Sequence, residues 1–249
     1  MSFRTCRADL HIHTVLSACA EVEMIPPLIV EEALIKGLDL IAITDHNATG
    51  NVGAVIQAAQ GRALTVLPGM EFQAQEEVEL LCIFDTPEQA RHWQATVDAH
   101  LLPQQNDPER FGPQFVVDAD GDFVREALCF YQGPVQIPLA EAARRVRDLG
   151  GLVIPAHIDR PSKGLLGVLG LWPPDLEADA AALSAHLRPS QAHRRYPFLP
   201  DIPLIANSDA HWLDAIGTAM TIFELAAPPT VAELRRALRG EAGRRVYVP

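Results

Sequence analysis

Short apolar runs alternate with segments of helical spacing along almost the whole chain. The first run, Arg4 to His11, reads as a strand ending in polar residues. Ile25 to Lys36 has helical spacing, with Pro26 and Pro27 suited to a first turn and Gly37 to a stop. Leu38 to Thr44 (LDLIAIT) has the branched residues and length of a buried strand. The pattern then predicts a helix over Val52 to Gln60, a strand over Ala63 to Leu67 closed by Pro68 and Gly69, and a strand over Val78 to Phe84. A helix follows over Pro87 to Leu102, with Thr86 as its N-cap. Residues 103–135 break the alternation; within them FVVDADGDFV places two apolar arms around Asp-Gly, the pattern of a β-hairpin. The alternation resumes with a helix over Leu139 to Leu149, stopped by Gly150 and Gly151, and a strand over Leu152 to Pro155. Residues 159–175 read as a loop and Asp179 to His186 as a short helix. Strands over Ile202 to Ala206 and Ala219 to Leu225 and a helix over Thr230 to Leu238 close the chain.

About seven strands alternating with helices predict an α/β fold with a mostly parallel sheet. For 249 residues, a closed or distorted barrel fits better than an open dinucleotide fold, and no GxGxxG follows the first strand. There is no internal repeat, so the expectation is one domain over 1–249 with a hairpin excursion at about 103–135.

Composition narrows the function. With 48% hydrophobic and 21% charged residues the chain can bury a core, which excludes global disorder. Cys6, Cys19, Cys82 and Cys129 form no CxxC pair, against a zinc ribbon, a thioredoxin motif or a disulfide scaffold. A net charge of −12 repels polyanions and disfavours sequence-independent DNA coating. No run approaches a membrane span, and the start lacks the apolar run of a signal peptide. The expectation is a cytoplasmic protein.

The chemistry collects at strand ends. Asp9-Leu10-His11-Ile12-His13-Thr14 places two histidines two apart, hence on one face of a strand, a natural half-site for Zn, Mn or Fe. Thr44-Asp45-His46-Asn47 follows LDLIAI, Gly69-Met70-Glu71 follows ALTVLP, Pro155-Ala156-His157 follows GLVI, and Asn207-Ser208-Asp209-Ala210-His211 follows IPLIA. Each sets metal-binding residue types at the predicted carboxyl end of a parallel strand, where α/β barrels build their active sites.

These motifs (DLHIHT, TDHN, PGME, PAH and SDAH), in this order, resemble those of the PHP (polymerase and histidinol phosphatase) superfamily. The resemblance implies a distorted (β/α)7 TIM-like barrel, two or three divalent ions and hydrolysis of phosphate esters. It implies that His11, His13, Glu71 and Asp209 hold one metal, that Glu71 bridges to a second bound also by His157, and that His46 and His211 contribute to a third. A carboxylate between two cations screens their repulsion, and paired metals can activate a water and clamp phosphoryl oxygens.

Two positions depart from the family pattern. Where many members have Asp or His, this chain has Ala18, with Cys19, Glu21 and Glu23 as rival donors nearby. Where members commonly carry a ligand His, it has Glu79; strand alternation puts Glu77, Glu79 and Leu81 on one face, and a carboxylate there favours Mn or Mg over Zn. Arg160 and Lys163, just after His157, suit phosphate recognition. Asp45 and Asp9 are candidates to orient the imidazoles from behind. His92, His100, His186, His193, Arg194 and Arg195 read as surface residues and Trp93, Trp172 and Trp212 as packing, with Trp212 near enough to His211 to line the pocket.

The expected activity is that of a metal-dependent phosphoesterase acting on a small phosphomonoester, a short nucleotide or a phosphodiester. Glu71, His157, Asp209 and Arg160 are its candidate catalytic residues. His11, His13, His46, Glu71, Glu79, His157, Asp209 and His211 are its candidate metal ligands, for Mn, Zn, Fe or Mg. Two other classes remain open: a non-catalytic metal-binding module and a metal-dependent C–N hydrolase.

Overall fold

The computed structural model describes residues 2–249. Its first half carries β1 (Arg4–Ile12), α1 (Pro26–Ile35), β2 (Leu40–Ile43), α2 (Val52–Ala58), β3 (Thr65–Gln73), β4 (Glu79–Ile83) and α3 (Pro87–Asp98). The stretch that interrupts the alternation holds a helical turn α4 (Pro108–Phe111) and the hairpin β5 (Phe115–Val117) and β6 (Phe123–Glu126). Then come α5 (Leu139–Asp148), β7 (Leu152–Pro155), α6 (Leu165–Leu169), β8 (Ala181–Leu183) and α7 (Pro189–Arg195). The chain ends with β9 (Leu204–Ala206), β10 (Thr221–Leu225), α8 (Val231–Leu238) and β11 (Arg245–Tyr247). None of these helices is long and apolar enough to cross a membrane.

Seven strands form one sheet in the order β11-β10-β1-β2-β3-β4-β7, and β8 and β9 pair separately. The sheet curls into a half-barrel, and the β8–β9 pair packs between its two edges, β7 and β11, giving a distorted TIM-like barrel. The expected mostly parallel sheet is corrected here: within the seven strands only β1–β2 and β2–β3 run parallel, while the other four pairings are antiparallel. The reason lies at β3. It does not close at Pro68 and Gly69 but runs on to Gln73, leaving β2 after Pro68 and taking β4 as an antiparallel partner from Gly69. Gly69 is needed at this crossing, since a Cβ there would meet Thr44 Cγ2 at 2.8 Å and the Ile43 carbonyl oxygen at 3.0 Å.

Three further corrections concern local structure. Residues 179–186 hold the strand β8 rather than a helix, because Ala181–Leu183 pairs in parallel with β9 and burial overrides alanine's helical preference. The 159–175 loop contains α6, and α7 occupies part of the region read as polar loop. β11 was not expected at all. The Thr86 N-cap, by contrast, is present with a full capping box to Gln89.

Alternation explains the core. Ala8, Leu10, Leu40, Ala42, Leu67, Leu81, Ile83, Leu152, Ile154, Ala182, Ile205 and Phe223 share one buried cluster in the barrel interior. Their neighbours of opposite parity, among them Ile41, Ile43, Phe72, Cys82 and Val153, pack outward under the helices.

Candidate metal centre

The same alternation aims the site residues, with two exceptions that the backbone corrects. Glu71 follows Leu67 in the inward parity of β3, and Glu79 shares the parity of Leu81 and Ile83 in β4. In β1 the interior residues are Cys6, Ala8 and Leu10, yet Ile12 packs outward. A register shift between Asp9 and Ile12 reverses the parity, so that His11 and His13 turn into the barrel mouth. After β7, His157 would by parity face outward; a left-handed φ of 28° swings it back. Asp209 is likewise left-handed, at φ 55°. Such non-glycine residues are costly and gather at functional sites. Glu77 does not share the face of Glu79, since it sits exposed in a left-handed turn before β4 begins.

All eight expected ligand positions converge on one pocket of about 400 Å³ or on its floor. Glu71 is central. Its Oε1 lies 3.0 Å from His11 Nε2 and 3.1 Å from His157 Nε2; its Oε2 lies 3.0 Å from His46 Nδ1 and 3.3 Å from His13 Nε2. Asp209 Oδ1 stands 3.1 Å from His11 Nε2 and 3.3 Å from His13 Nε2. Glu79 reaches His157 Nε2 at 3.1 Å and His46 Nδ1 at 3.6 Å. Three donor groups result: His11, His13, Glu71 and Asp209; His46, Glu71 and Glu79; and His13, His46 and His211. His46 therefore sits beside the Glu71–Glu79 pair as well as beside His211.

A surrounding layer holds these groups in place. Asp45 accepts hydrogen bonds from Thr14 N, Thr14 Oγ1 and Ser17 Oγ at 2.7–2.8 Å. Ser17 spends its only proton on Asp45, so it accepts from His13 Nδ1 at 2.9 Å. This fixes the tautomer of His13 and leaves the Nε2 lone pair facing the site. His211 Nδ1 donates to the Asp209 carbonyl at 2.9 Å, freeing its Nε2 in the same way. Asp9 turns away and accepts from Ser208 N and Oγ and from Gly217 N, tying β1 to the loop that carries Asp209. Arg160 pairs with Asp209 Oδ2 at 2.6 Å, and Lys163 with Glu79 Oε1 at 2.7 Å.

Titration follows from this crowding. Burial opposes ionisation of Glu71, but His11 and His46 outweigh it and hold its carboxyl well below the usual range. Burial also opposes ionisation of Asp209, yet His11 and His13 keep its pKa low. Burial disfavours the charged form of His46, but the Glu71 charge raises it to about 9; burial likewise opposes charging of His157, which Glu71 and Glu79 raise to about 9. Cations are thus favoured wherever these nitrogens meet carboxylates.

The donors fit a divalent ion. Ligand atoms on one ion with bonds of about 2.0–2.2 Å stand about 2.8–3.6 Å apart, depending on geometry. The contacts around Glu71 and Asp209 span 3.0–3.3 Å. His11 Nε2 and His13 Nε2 approach to 3.1 Å, a contact natural for two lone pairs that share a cation. Glu71 Oε2 and His157 Nδ1 are buried without a hydrogen-bond partner. Three buried carboxylates call for compensating positive charge, which protons on the imidazoles supply in the metal-free site and a divalent ion can replace.

Of the residues near the Ala18 departure, Cys19 lines the pocket, while Glu21 and Glu23 are exposed away from it. Burial opposes ionisation of Cys19, but His211 and His46 beside it lower the thiol to about 5. Trp212 is exposed and outside the lining; Trp93 is buried, and Trp172 packs against the outer core. His92, His186, His193, Arg194 and Arg195 lie on the surface. Sequence reasoning missed Ser17, whose hydroxyl sits inside the first motif's own loop. It also missed Phe111, Phe130 and Gln132, which line the pocket from the interrupting stretch and carry no recognisable pattern. A groove beside β11, of about 540 Å³, is larger but contains none of the motif residues.

An imidazole–carboxylate centre at the mouth of a distorted barrel is the fold and site of a metal-dependent hydrolase. The chain belongs to the PHP domain family, which matches residues 9–159; a PHP-associated family matches residues 200–242. Among solved structures it is similar to the lesion-specific endonuclease EndoQ from Pyrococcus furiosus (TM-score 0.72, 21% identity, 98% of this chain and 58% of that one). It is also similar to Endonuclease Q bound to a 27-mer duplex with an abasic lesion at the active site (0.70, 22%, 97% and 58%). A third similar structure is a protein assigned as a metal-dependent phosphoesterase from Bifidobacterium adolescentis (0.54, 22%, 82% and 87%). At these identities the likeness is one of fold. The chain spans 58% of the endonucleases' length. No curated protein matches it in sequence.

Proposed function

We propose that this protein is a metal-dependent phosphoesterase that hydrolyses a small phosphomonoester, a short nucleotide or a phosphodiester at a two- or three-ion centre. Glu71 carries the reading: each of its oxygens meets two imidazole nitrogens, as a carboxylate shared by two ions requires. His11, His13, Glu71 and Asp209 would hold one ion, and Glu71, Glu79, His157 and His46 a second. His13, His46 and His211 stand within reach of a third, with Cys19 at its edge. The ions would supply an activated water and neutralise the phosphoryl oxygens.

The chain's own groups do the rest. Glu71 offsets the repulsion between neighbouring cations, and Ser17 with Asp45 keeps His13 in its ligating tautomer. With Asp209 and Glu79 committed to ions, Arg160 and Lys163 become available to the phosphate, Arg160 by a bidentate contact. Glu79, a harder donor than imidazole, biases its group toward Mn or Mg over Zn. A chain of net charge −12 favours small substrates over long polymers. The fold kinship with Endonuclease Q, solved on damaged DNA, supports a nucleotide-like ester. Residues 1–249 act as a single PHP domain: Asp9 and Leu10, in the first family segment, are hydrogen-bonded to Ser208 and Asn207, in the second.

The test is metal content of the purified protein together with turnover of p-nitrophenyl phosphate, its bis-ester and an anilide under added Mn, Zn and Mg. Two or three ions and metal-dependent ester cleavage are expected. Anilide cleavage without ester cleavage would make it a C–N hydrolase, and one ion or none with no turnover a binding module.

A further inference from the structure

The pocket's floor is ionic, but Phe111 and Phe130 stand in its wall. Both come from the stretch that interrupts the barrel, Phe111 ending α4 and Phe130 following β6. Their centroids are 4.6 Å apart with planes tilted by 40°, and the Arg110 guanidinium lies 4.9 Å over the Phe111 ring. Both rings are half-buried, and neither belongs to an apolar core, so internal packing does not account for them. Two apolar rings in contact beside a charged pocket offer a surface against which a ligand ring can pack.

The wall is held rigidly. Gly112, at φ 95°, lies so close to the Ala18 carbonyl that a Cβ would clash with its oxygen. Gln132 Nε2 donates to Cys19 Sγ at 2.8 Å, and Asn47 Nδ2 donates to the carbonyls of Tyr131 and Gly133 at 2.7 and 2.8 Å. Ala18, which departs from the family pattern, and its neighbour Cys19 are therefore among the residues on which this wall docks. A surface ordered in advance gives up little entropy on binding.

We propose that Phe111 and Phe130 determine specificity and that the substrate presents a planar aromatic ring, as a nucleobase does, beside its phosphate. The inference rests on the phosphoesterase reading for the phosphate and on the wall alone for the ring. Every base has a π-face, so an aromatic wall is tolerant of base identity. A base reaches such a wall only when unpaired, in a mononucleotide or at a single-stranded end.

The test compares binding of adenosine monophosphate and glycerol 2-phosphate to the Mn-loaded full chain by calorimetry, for wild type, Phe111→Ala, Phe130→Ala and Phe111→Trp. Each alanine variant should lower the ratio of the two affinities about tenfold, the scale of one lost base–aromatic stack, and tryptophan should restore it. Metal content and thermal midpoint confirm that the variants are folded. An unchanged ratio, or equal loss of both ligands, would overturn the proposal. Hydrolysis of p-nitrophenyl phosphate and its bis-ester by wild type is measured alongside. Cleavage of neither would remove the phosphoesterase reading, while the affinity ratio still decides the wall.

Discussion

Replacing Ser17 by alanine removes one hydroxyl that touches no expected substrate, yet it should weaken metal binding. Ser17 is buried and links Asp45, at 2.7 Å, to His13 Nδ1, at 2.9 Å. Asp45 keeps its bonds from Thr14 N and Oγ1, so the loss falls on His13 and, more weakly, on the His46 backbone N–H, which donates to Ser17 Oγ at 3.3 Å. In the variant His13 has two choices. It can keep its proton on Nδ1, buried without a partner, at a cost of about 1–3 kcal/mol. It can instead move the proton to Nε2, which then points at Glu71 and Asp209 as a donor and no longer offers a lone pair. Either way the ion held with His11, Glu71 and Asp209 loses support, by about 10–100-fold in affinity on the scale of other supporting partners of ligand histidines. Competition against a chelator of known affinity measures this directly, with circular dichroism to confirm the fold. Wild-type affinity in Ser17→Ala would refute the tautomer argument.

Four further outcomes follow from the structure. His11→Ala or Asp209→Ala should remove metal and turnover while leaving the barrel folded, checked by elemental analysis and circular dichroism. The raised pKa values of His46 and His157 mean that protons compete with metal, so affinity should climb with pH and level off above about 9. The same raised values stabilise the metal-free protein fully below about pH 6.5, the unfolded value, and that stability should fade as pH rises through about 9. Melting the protein in chelator across that range should show a falling midpoint that the metal-loaded protein lacks. Gly112→Ala should push the interrupting stretch off Ala18, costing about 1–3 kcal/mol for the left-handed residue, with a midpoint lower by about 2–4 °C per kcal/mol in thermal unfolding.

Much of this centre could be read from the residues because its donors stand next to strands that announce themselves. LDLIAI before Asp45-His46 and GLVI before Pro155-Ala156-His157 are unmistakable apolar runs. The fold class was legible for the same reason. Strand direction was not, because it depends on partners distant in sequence: the Pro68-Gly69 pair reads as a stop, yet β3 passes through it by exchanging β2 for β4. Ala181–Leu183 reads as helix because alanine favours one, and only the neighbouring β9 makes it a strand. The inward turn of His11, His13 and His157 depends on a register shift and a left-handed residue, neither of which has a residue code of its own. The aromatic wall was invisible because Phe111 and Phe130 meet across a loop, through tertiary contacts alone.

The joining of β1 to the Asp209 loop also sets when the centre can form. Leu10 N bonds Asn207 Oδ1, and Ser208 N bonds Asp9, across separations of 197 and 199 residues. His11 and His13 stand at one end of that separation, and Asp209 and His211 at the other. Non-local contacts of this span close late and slowly. The donor group of His11, His13, Glu71 and Asp209 therefore stays incomplete until the segment carrying Asp209 docks on β1. Metal affinity at that donor group should thus report that these two distant segments have met.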